Sequence, residues 1–323
     1  MNQQRIPAVF IRGGTSKGVF FHERDLPKDQ DARDRLFLDV IGAPDPYRRQ
    51  LNGMGGGISS LNKVMIVDRS TRDNADVEYT FGQVAADRAE VDYSANCGNL
   101  SSAIGPFAID EGLIKVEDGE SLIRLYNTNT DKIVHARIPV RDGAAEITGD
   151  YELQGVAGTG AKLQLDYLNP GGAGTGKLLP SAHVLEDMEV DDHGTYTVSL
   201  VDAATPMVYV AAEALDMTAT ERPEAIDADK ALKTRLEAIR RAGAIRMGLA
   251  NQAEDVGFAS PRIAVVAAPI EFTALNDEII APDTQDLTVR VISSGDAHRA
   301  SPLTSAMCLA AACKIEGTLP HSL

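Results

Sequence analysis

The feature that most constrains this chain is a set of landmarks that occurs twice in the same order. Three segments recur, each displaced by roughly 190 to 200 residues. Thr15 to Phe21, leading to Leu26, resembles Thr205 to Val210, leading to Leu215, and each reads as a turn feeding a strand. Ser60 to Val67 resembles Ser260 to Val266, a polar approach followed by a β-rich apolar run. Leu100-Ser101-Ser102-Ala103-Ile104 resembles Leu303-Thr304-Ser305-Ala306-Met307, and each opens a small-residue apolar stretch that ends near Glu-Gly. Both of these read as buried helices, the first kinked at Gly105-Pro106 because proline cannot donate its backbone bond. One such pair is within reach of chance; three in register favour duplication.

The fold expected from this order is α+β: two pseudo-symmetric domains, each a β-sheet wrapped around a central helix, with a cleft between them as the natural binding site. The domains are expected over residues 1–175 and 176–323, with the junction near Asn169-Pro170-Gly171-Gly172-Ala173-Gly174. Apolar periodicity predicts surface helices over 31–41 and 228–248, and strands over 121–140, 145–153 and 162–168. Nothing comparable to those strands follows Gly317. The second domain is therefore expected to lack its closing strands, a shortfall of roughly 50 residues judged against the first half.

Charge narrows the partners. Asp plus Glu number 47 against 31 Lys plus Arg, a formal charge of −16, which argues against nucleic acid or an anionic membrane. An anionic small molecule must then be held by local cations or by backbone N–H groups at helix N-termini. The N-terminal residues lack a basic stretch followed by a long apolar core, and no apolar run approaches a membrane span, so a soluble, cytoplasmic protein is expected. Cys97, Cys308 and Cys313 are an odd count without CxxC spacing, and the six histidines show no ligand spacing, so neither disulfide nor metal is expected.

Three glycine-rich segments carry chemistry. Cys97 lies in Tyr93-Ser94-Ala95-Asn96-Cys97-Gly98-Asn99, directly before the first apolar helix. Exposed N–H groups there favour a thiolate and suit a carboxylate; the other reading is a buried inert cysteine. Gly53 to Lys63 concentrates glycines before a strand that opens with a lysine, which is either a solvated surface lysine or a base. Arg12-Gly13-Gly14-Thr15-Ser16-Lys17-Gly18 offers two cations and two hydroxyls to a carboxylate. Gly171 through Lys177 matches GxxxxGK formally, but Leu178 replaces the hydroxyl residue and Pro180 falls where the helix should form. Asp296 to Ser301 contributes His298 and Arg299, but Ala300 stands where Cys97 stands in the first half, which disfavours a two-cysteine epimerase. Cys308 and Cys313 read as core.

Together RGGTSKG, GMGGGISSLNK, NCGNLSSAIGPFAI, GKLLPS and LKTRLEAIR resemble the PrpF-type isomerases, relatives of diaminopimelate epimerase, over almost the whole chain. The resemblance implies a two-domain pseudo-symmetric fold and cofactor-independent proton transfer in compounds such as 2-methylaconitate, methylitaconate, aconitate or 4-oxalomesaconate. It places the catalytic lysine on Lys63 and the catalytic cysteine on Cys97. Substrate binding is expected from Gly14, Thr15, Ser16, Lys17, Ser60, Asn96, Gly98 and Asn99, with His298 and Arg299 from the second half. The family usually has Thr-Ser-Lys where this chain has Leu61-Asn62-Lys63, which removes a hydroxyl contact. A His-Pro-Ser-Gly segment and a basic C-terminal stretch of the family do not appear here. The partner expected is thus a small unsaturated di- or tricarboxylate, and a homodimer is compatible with this reading. The rival readings are a racemase or epimerase acting beside a carboxylate, and a noncatalytic polycarboxylate-binding protein.

Overall fold

The computed structural model describes residues 4–323, and the chain forms two compact units, Met1–Asn169 and Pro170–Leu323. The first contains β1 (Val9–Gly13), β2 (Ser16–His22), α1 (Gln30–Ile41), β3 (Lys63–Arg69), β4 (Val77–Val84), β5 (Val91–Asp92), α2 (Gly98–Asp110), β6 (Gly119–Asn127) and β7 (Lys132–Arg141). It is completed by short strands β8 (Ala144–Ala145), β9 (Tyr151–Glu152), β10 (Thr159–Gly160) and β11 (Gln164–Tyr167). The main sheet runs β1-β2-β3-β4-β6-β7-β11, with β5 on β4 and β8 on β7. Strand β3 is apolar and buried on both faces, as a central strand must be, whereas β7 alternates buried and half-buried positions.

Helix α2 packs against β1, β2, β3, β4, β6, β7 and β8, so the sheet curls around it. This explains why its sequence is apolar nearly all round. It is continuous through Pro106. Most of its residues are buried, and Gly105 has no room for a side chain: a methyl there would lie 2.0 Å from Ile138 Cδ1. On the other sheet face, Val19, Phe21, Val64 and Ile66 meet Phe37 and Ile41 of α1. That helix starts where the Asp29 carboxylate accepts the Ala32 N–H and stops at left-handed Gly42.

The second unit contains β12 (Glu186–Val190), β13 (Gly194–Asp202), β14 (Pro206–Ala211), α3 (Pro223–Ala228), α4 (Lys230–Arg246) and β15 (Arg262–Ala267). After it come β16 (Phe272–Thr273), β17 (Ile279–Ile280), β18 (Thr288–Ser293), β19 (Asp296–Ala297), α5 (Leu303–Ala312) and α6 (Leu319–Ser322). Its sheet runs β12-β13-β14-β15-β18-β19. The repeat is visible in the strand pairing: β2 pairs parallel with β3, β14 pairs parallel with β15, and each second strand then meets an antiparallel neighbour. Helix α4 and residues of α3 cover one face of this sheet, and α5 covers the other.

Three local expectations change. The helix expected over 228–248 forms as α4 but begins at Lys230, because Asp229 leaves helical geometry and caps it by accepting the Leu232 N–H; the short helix α3 before it was not expected. The strand over 145–153 is only β8 and β9, separated by a stretch that exposes Ile147 and turns at Gly149. Helix α5 is buried on one face rather than all round. Among the described residues no helix is long and apolar enough to cross a membrane.

Candidate active site

Lys63 is the first residue of β3 and only 4% exposed. In the antiparallel register it stands opposite Gln83, Met65 opposite Phe81 and Val67 opposite Tyr79. Opposed residues share a sheet face, so these side chains lie together on the face that holds α2. The Lys63 Nζ donates to Gln83 Oε1 at 2.7 Å and sits 4.8 Å from the centre of the Phe81 ring. Gln83 Nε2 in turn donates to the carbonyls of Ser59 and Asn62 at 3.0 and 2.8 Å, which fixes the chain just before the lysine. The glycine-rich stretch is folded rather than loose. Gly56 N–H reaches Asn62 Oδ1 at 3.0 Å, Gly57 N–H reaches Gln50 Oε1 at 2.6 Å, and left-handed Gly57 leaves a methyl no space beside the Arg48 carbonyl. Ser60 is buried in the turn before Lys63.

Cys97 caps the N-terminus of α2 and is 3% exposed. Its carbonyl accepts the Ser101 N–H at 2.9 Å, opening the helix and leaving the first amides, including those of Gly98 and Asn99, without intrahelical partners. Asn99 donates through Nδ2 to Thr15 Oγ1 and Ser16 Oγ at 3.0 and 3.3 Å. The turn between β1 and β2 comes close enough for this only because it is glycine. A methyl on Gly14, at φ +52°, would sit 2.7 Å from Asn99 Oδ1, and one on Gly13 2.5 Å from the Asn99 carbonyl. Gly18 ties the two halves of the site together. A methyl there would lie 2.8 Å from the Lys63 carbonyl and 2.9 Å from Leu100 Cδ1, three residues beyond Cys97.

The first unit thus brings Lys63, Cys97, Asn99, Gly14, Thr15 and Ser16 to one end of α2. Lys17 is not among them: it follows Ser16 in β2, so it points to the opposite face, where its Nζ lies over the Phe10 ring at 5.2 Å. Asn96 is buried, its Oδ1 accepting from Asn127 Nδ2 at 3.0 Å.

In the second unit His298 and Arg299 follow β19. His298 Nδ1 lies 3.1 Å from the Ala300 N–H, and Arg299 is bound to Asp227 at 2.7 Å and Glu224 at 3.4 Å, so its charge is matched locally. Helix α5 starts after Pro302, and Cys308 lies within the core, where burial pushes its thiol up to about 12. The GxxxxGK stretch is closed by its own protein: Asp202 Oδ2 accepts the N–H groups of Gly174 and Thr175 and the Thr175 hydroxyl, each at 2.8 Å. Amides that would cradle a phosphate are already used. Among the described residues no His, Cys, Asp or Glu side chains gather as a metal site.

Sequence reasoning missed Gln83, Asp92, Tyr79 and Ser101. The register sets Lys63, Gln83 and Asp92 in one row across β3, β4 and β5, all buried. The signal was present in β4, where Val77, Tyr79, Phe81 and Gln83 form the inward phase; a glutamine in that phase marks polar chemistry in the core.

A family model described as PrpF protein matches residues 3–323. The 2-methyl-aconitate isomerase of Shewanella oneidensis is 39% identical over 98% of this chain and 83% of its own length. The 4-oxalomesaconate tautomerase of Pseudomonas putida is 37% identical over 100% and 83%. Among solved structures, methylitaconate-delta-isomerase superposes with a TM-score of 0.75 at 37% identity, covering 100% of this chain and 84% of that one. A hydroxyproline epimerase from Agrobacterium vitis, 11% identical with a TM-score of 0.53 over 98% and 80%, shares the fold alone. With its fold, its paired glycine-rich turns and a match over 321 positions, 3 to 323, this chain belongs to the PrpF family.

Proposed function

We propose that this protein isomerises an unsaturated polycarboxylate such as 2-methylaconitate, aconitate or 4-oxalomesaconate, shifting a proton and a C=C bond without a cofactor. The observation that carries the reading is the placement of a buried amine and a buried thiol, Lys63 and Cys97, at one end of α2 in a family whose named relatives are isomerases and tautomerases. Lys63 and Cys97 form the acid–base pair. One removes an allylic proton made acidic by conjugation, and the other delivers a proton at the far carbon. Negative charge gathering on a substrate carboxylate is met by the N–H groups of Gly98 and Asn99 and by the hydroxyls of Thr15 and Ser16. His298 and Arg299 stay in the proposal as secondary binding groups. Because Asp227 and Glu224 already engage Arg299, its loss is expected to matter less than that of Lys63. The reaction is placed in the cytoplasm, and a homodimer is compatible with it.

The test is turnover of a panel of unsaturated di- and tricarboxylates by ultraviolet absorbance, with exchange of substrate protons in deuterated water. Lys63→Ala and Cys97→Ser are each expected to lower turnover about 10²- to 10⁴-fold. Full exchange and turnover in both variants would overturn the assignment. An epimerase would instead act on a saturated chiral carbon, and Ala300 and Pro302 supply no second thiol at the start of α5.

A further inference from the structure

We infer that Tyr79 is a positioning residue for Cys97, acting through Ser101; the inference rests on the reading of Cys97 as a proton-transfer group. Ser101 is fully buried in the first turns of α2, with its Oγ 3.0 Å from the Cys97 carbonyl oxygen and 2.7 Å from the Tyr79 hydroxyl. A carbonyl can only accept, so the one hydroxyl proton of Ser101 goes to Cys97. Tyr79 must then be the donor to Ser101. The chain has one direction, from Tyr79 O–H to Ser101 O–H to the Cys97 carbonyl.

Ser101 meets that carbonyl twice, since its N–H donates to the same oxygen at 2.9 Å. Two bonds from one residue fill both lone pairs and fix the plane of the Cys97–Gly98 peptide. In a trans peptide the N–H points opposite to the C=O. Holding the Cys97 carbonyl toward the helix therefore aims the Gly98 N–H out of its N-terminus and sets the Cα that carries the thiol. Tyr79 is anchored in turn. Its backbone carbonyl accepts the Thr128 N–H at 3.0 Å and the Thr128 hydroxyl at 3.1 Å, and Asn127, beside the phenol, donates to Asn96 Oδ1 at 3.0 Å. The residue before Cys97 and the carbonyl of Cys97 itself are thus held by one buried network. Burial pushes the Tyr79 phenol up to about 12, which keeps it a donor at every working pH.

A second tyrosine supplies the control. Tyr167, at the end of β11, also buries its hydroxyl near Ser101, Tyr79 and Cys97, but it approaches Ser101 without the geometry of a formed hydrogen bond, in contrast to the 2.7 Å contact from Tyr79. Removing each hydroxyl by a phenylalanine leaves both rings in place, so the pair separates wiring from packing. A conservative variant supplies a second control: threonine in a helix can make the same back-bond to the i−4 carbonyl, so Ser101→Thr keeps the donor.

The experiment is steady-state kinetics on whichever of 2-methylaconitate, aconitate and 4-oxalomesaconate gives wild type its highest kcat/KM, with Cys97→Ser alongside. Tyr79→Phe and Ser101→Ala are each expected to lower kcat about tenfold, with KM within about twofold, because the amide and thiol are misaimed while substrate still binds. Ser101→Thr should retain most of the wild-type kcat, Tyr167→Phe should stay within about twofold of it, and Tyr79→Phe/Ser101→Ala should be no slower than Ser101→Ala alone. Wild-type kcat in Tyr79→Phe, or losses that multiply in the double variant, would overturn the relay while an inactive Cys97→Ser leaves the functional reading standing. An active Cys97→Ser would remove that reading first. Should Tyr79→Phe fail to fold by circular dichroism, the contrast of Ser101→Ala with Ser101→Thr decides: equal kcat in both counts against the relay.

Discussion

In the first unit the approach to β3 is held by a neutral amide, and in the second the approach to β15 is held by a guanidinium. Gln83 binds the carbonyls of Ser59 and Asn62 and, with its oxygen, the amine of Lys63. Arg240 binds the carbonyls of Gly257, Ser260 and Pro261 and is itself gripped at both ends by Glu237, at 2.7 and 2.8 Å. The cation at the head of each strand differs likewise: Lys63 meets the amide clamp, while Arg262 reaches the hydroxyls of Thr304 and Ser305 on α5. One task is done twice with different chemistry. A neutral clamp adds no charge beside the amine proposed to exchange its proton, which suits it to that site; a clamp tied by an ion pair holds backbone firmly and suits a scaffold.

The largest way to break that contrast is to remove the guanidinium. Arg240→Met keeps the stem but strips three carbonyls, two buried and one half-buried, of their donor and one carboxylate of its main partner. Arg240 is only 3% exposed, so a cost of about 3–5 kcal/mol is expected. Urea unfolding gives the size, and hydrogen exchange gives the place: amides of 262–267 should lose protection while those of 63–69 keep it. Equal loss in both strands would show that the clamp is not local to its unit.

A smaller effect on stability, with a larger one on turnover, is expected at the other clamp. Gln83→Leu removes two donors from buried carbonyls and one acceptor from Lys63, for about 1–3 kcal/mol. Turnover should fall about tenfold or more, because the amine loses the partner that aims it. Arg240→Met, assayed where it remains folded, should show a smaller loss of kcat. If Gln83→Leu weakened the fold but left kcat intact, the amide would be scaffold too, and the division of labour between the clamps would fail.

Much of this arrangement was legible in the chain, and what was not has a physical cause. Collinear landmarks exposed two sheets with matched strand order, and the turn residues around Gly14 and Gly57 exposed where backbone would come close. The clamps stayed hidden because both act across elements: Gln83 lies 20 residues beyond Lys63, and Arg240 lies 17 to 21 residues before the carbonyls it binds. A helical motif such as LKTRLEAIR reads as a charged surface, yet Arg240 within it is buried. Lys17 shows the converse. Its sequence neighbours suited it to a carboxylate, but strand alternation, which turns on a single residue of register, sends it away from Ser16.

The finest test of the comparison is pH. Burial by itself raises the Glu237 carboxyl, but hydrogen bonds and charge from Arg240 and then Arg241 outweigh it and hold the group below its ordinary 4.5. A carboxyl lowered in the folded state binds fewer protons there than in the unfolded chain. Its stabilisation is therefore complete above that ordinary value and is lost as pH falls through the folded one. Since the Glu237 side chain is 35% exposed, solvent screening reduces the ion pair, and Glu237→Gln is expected to cost about 1–2 kcal/mol at pH 7. The urea midpoints of Glu237→Gln and wild type should converge as pH drops from about 5 to 3. Gln83→Leu, which removes no charge, should keep a constant offset from wild type over the same window. A gap for Glu237→Gln that stays equally wide at low pH would mean that Arg240 is held by shape and hydrogen bonding alone, and the two clamps would then differ in residue but not in kind.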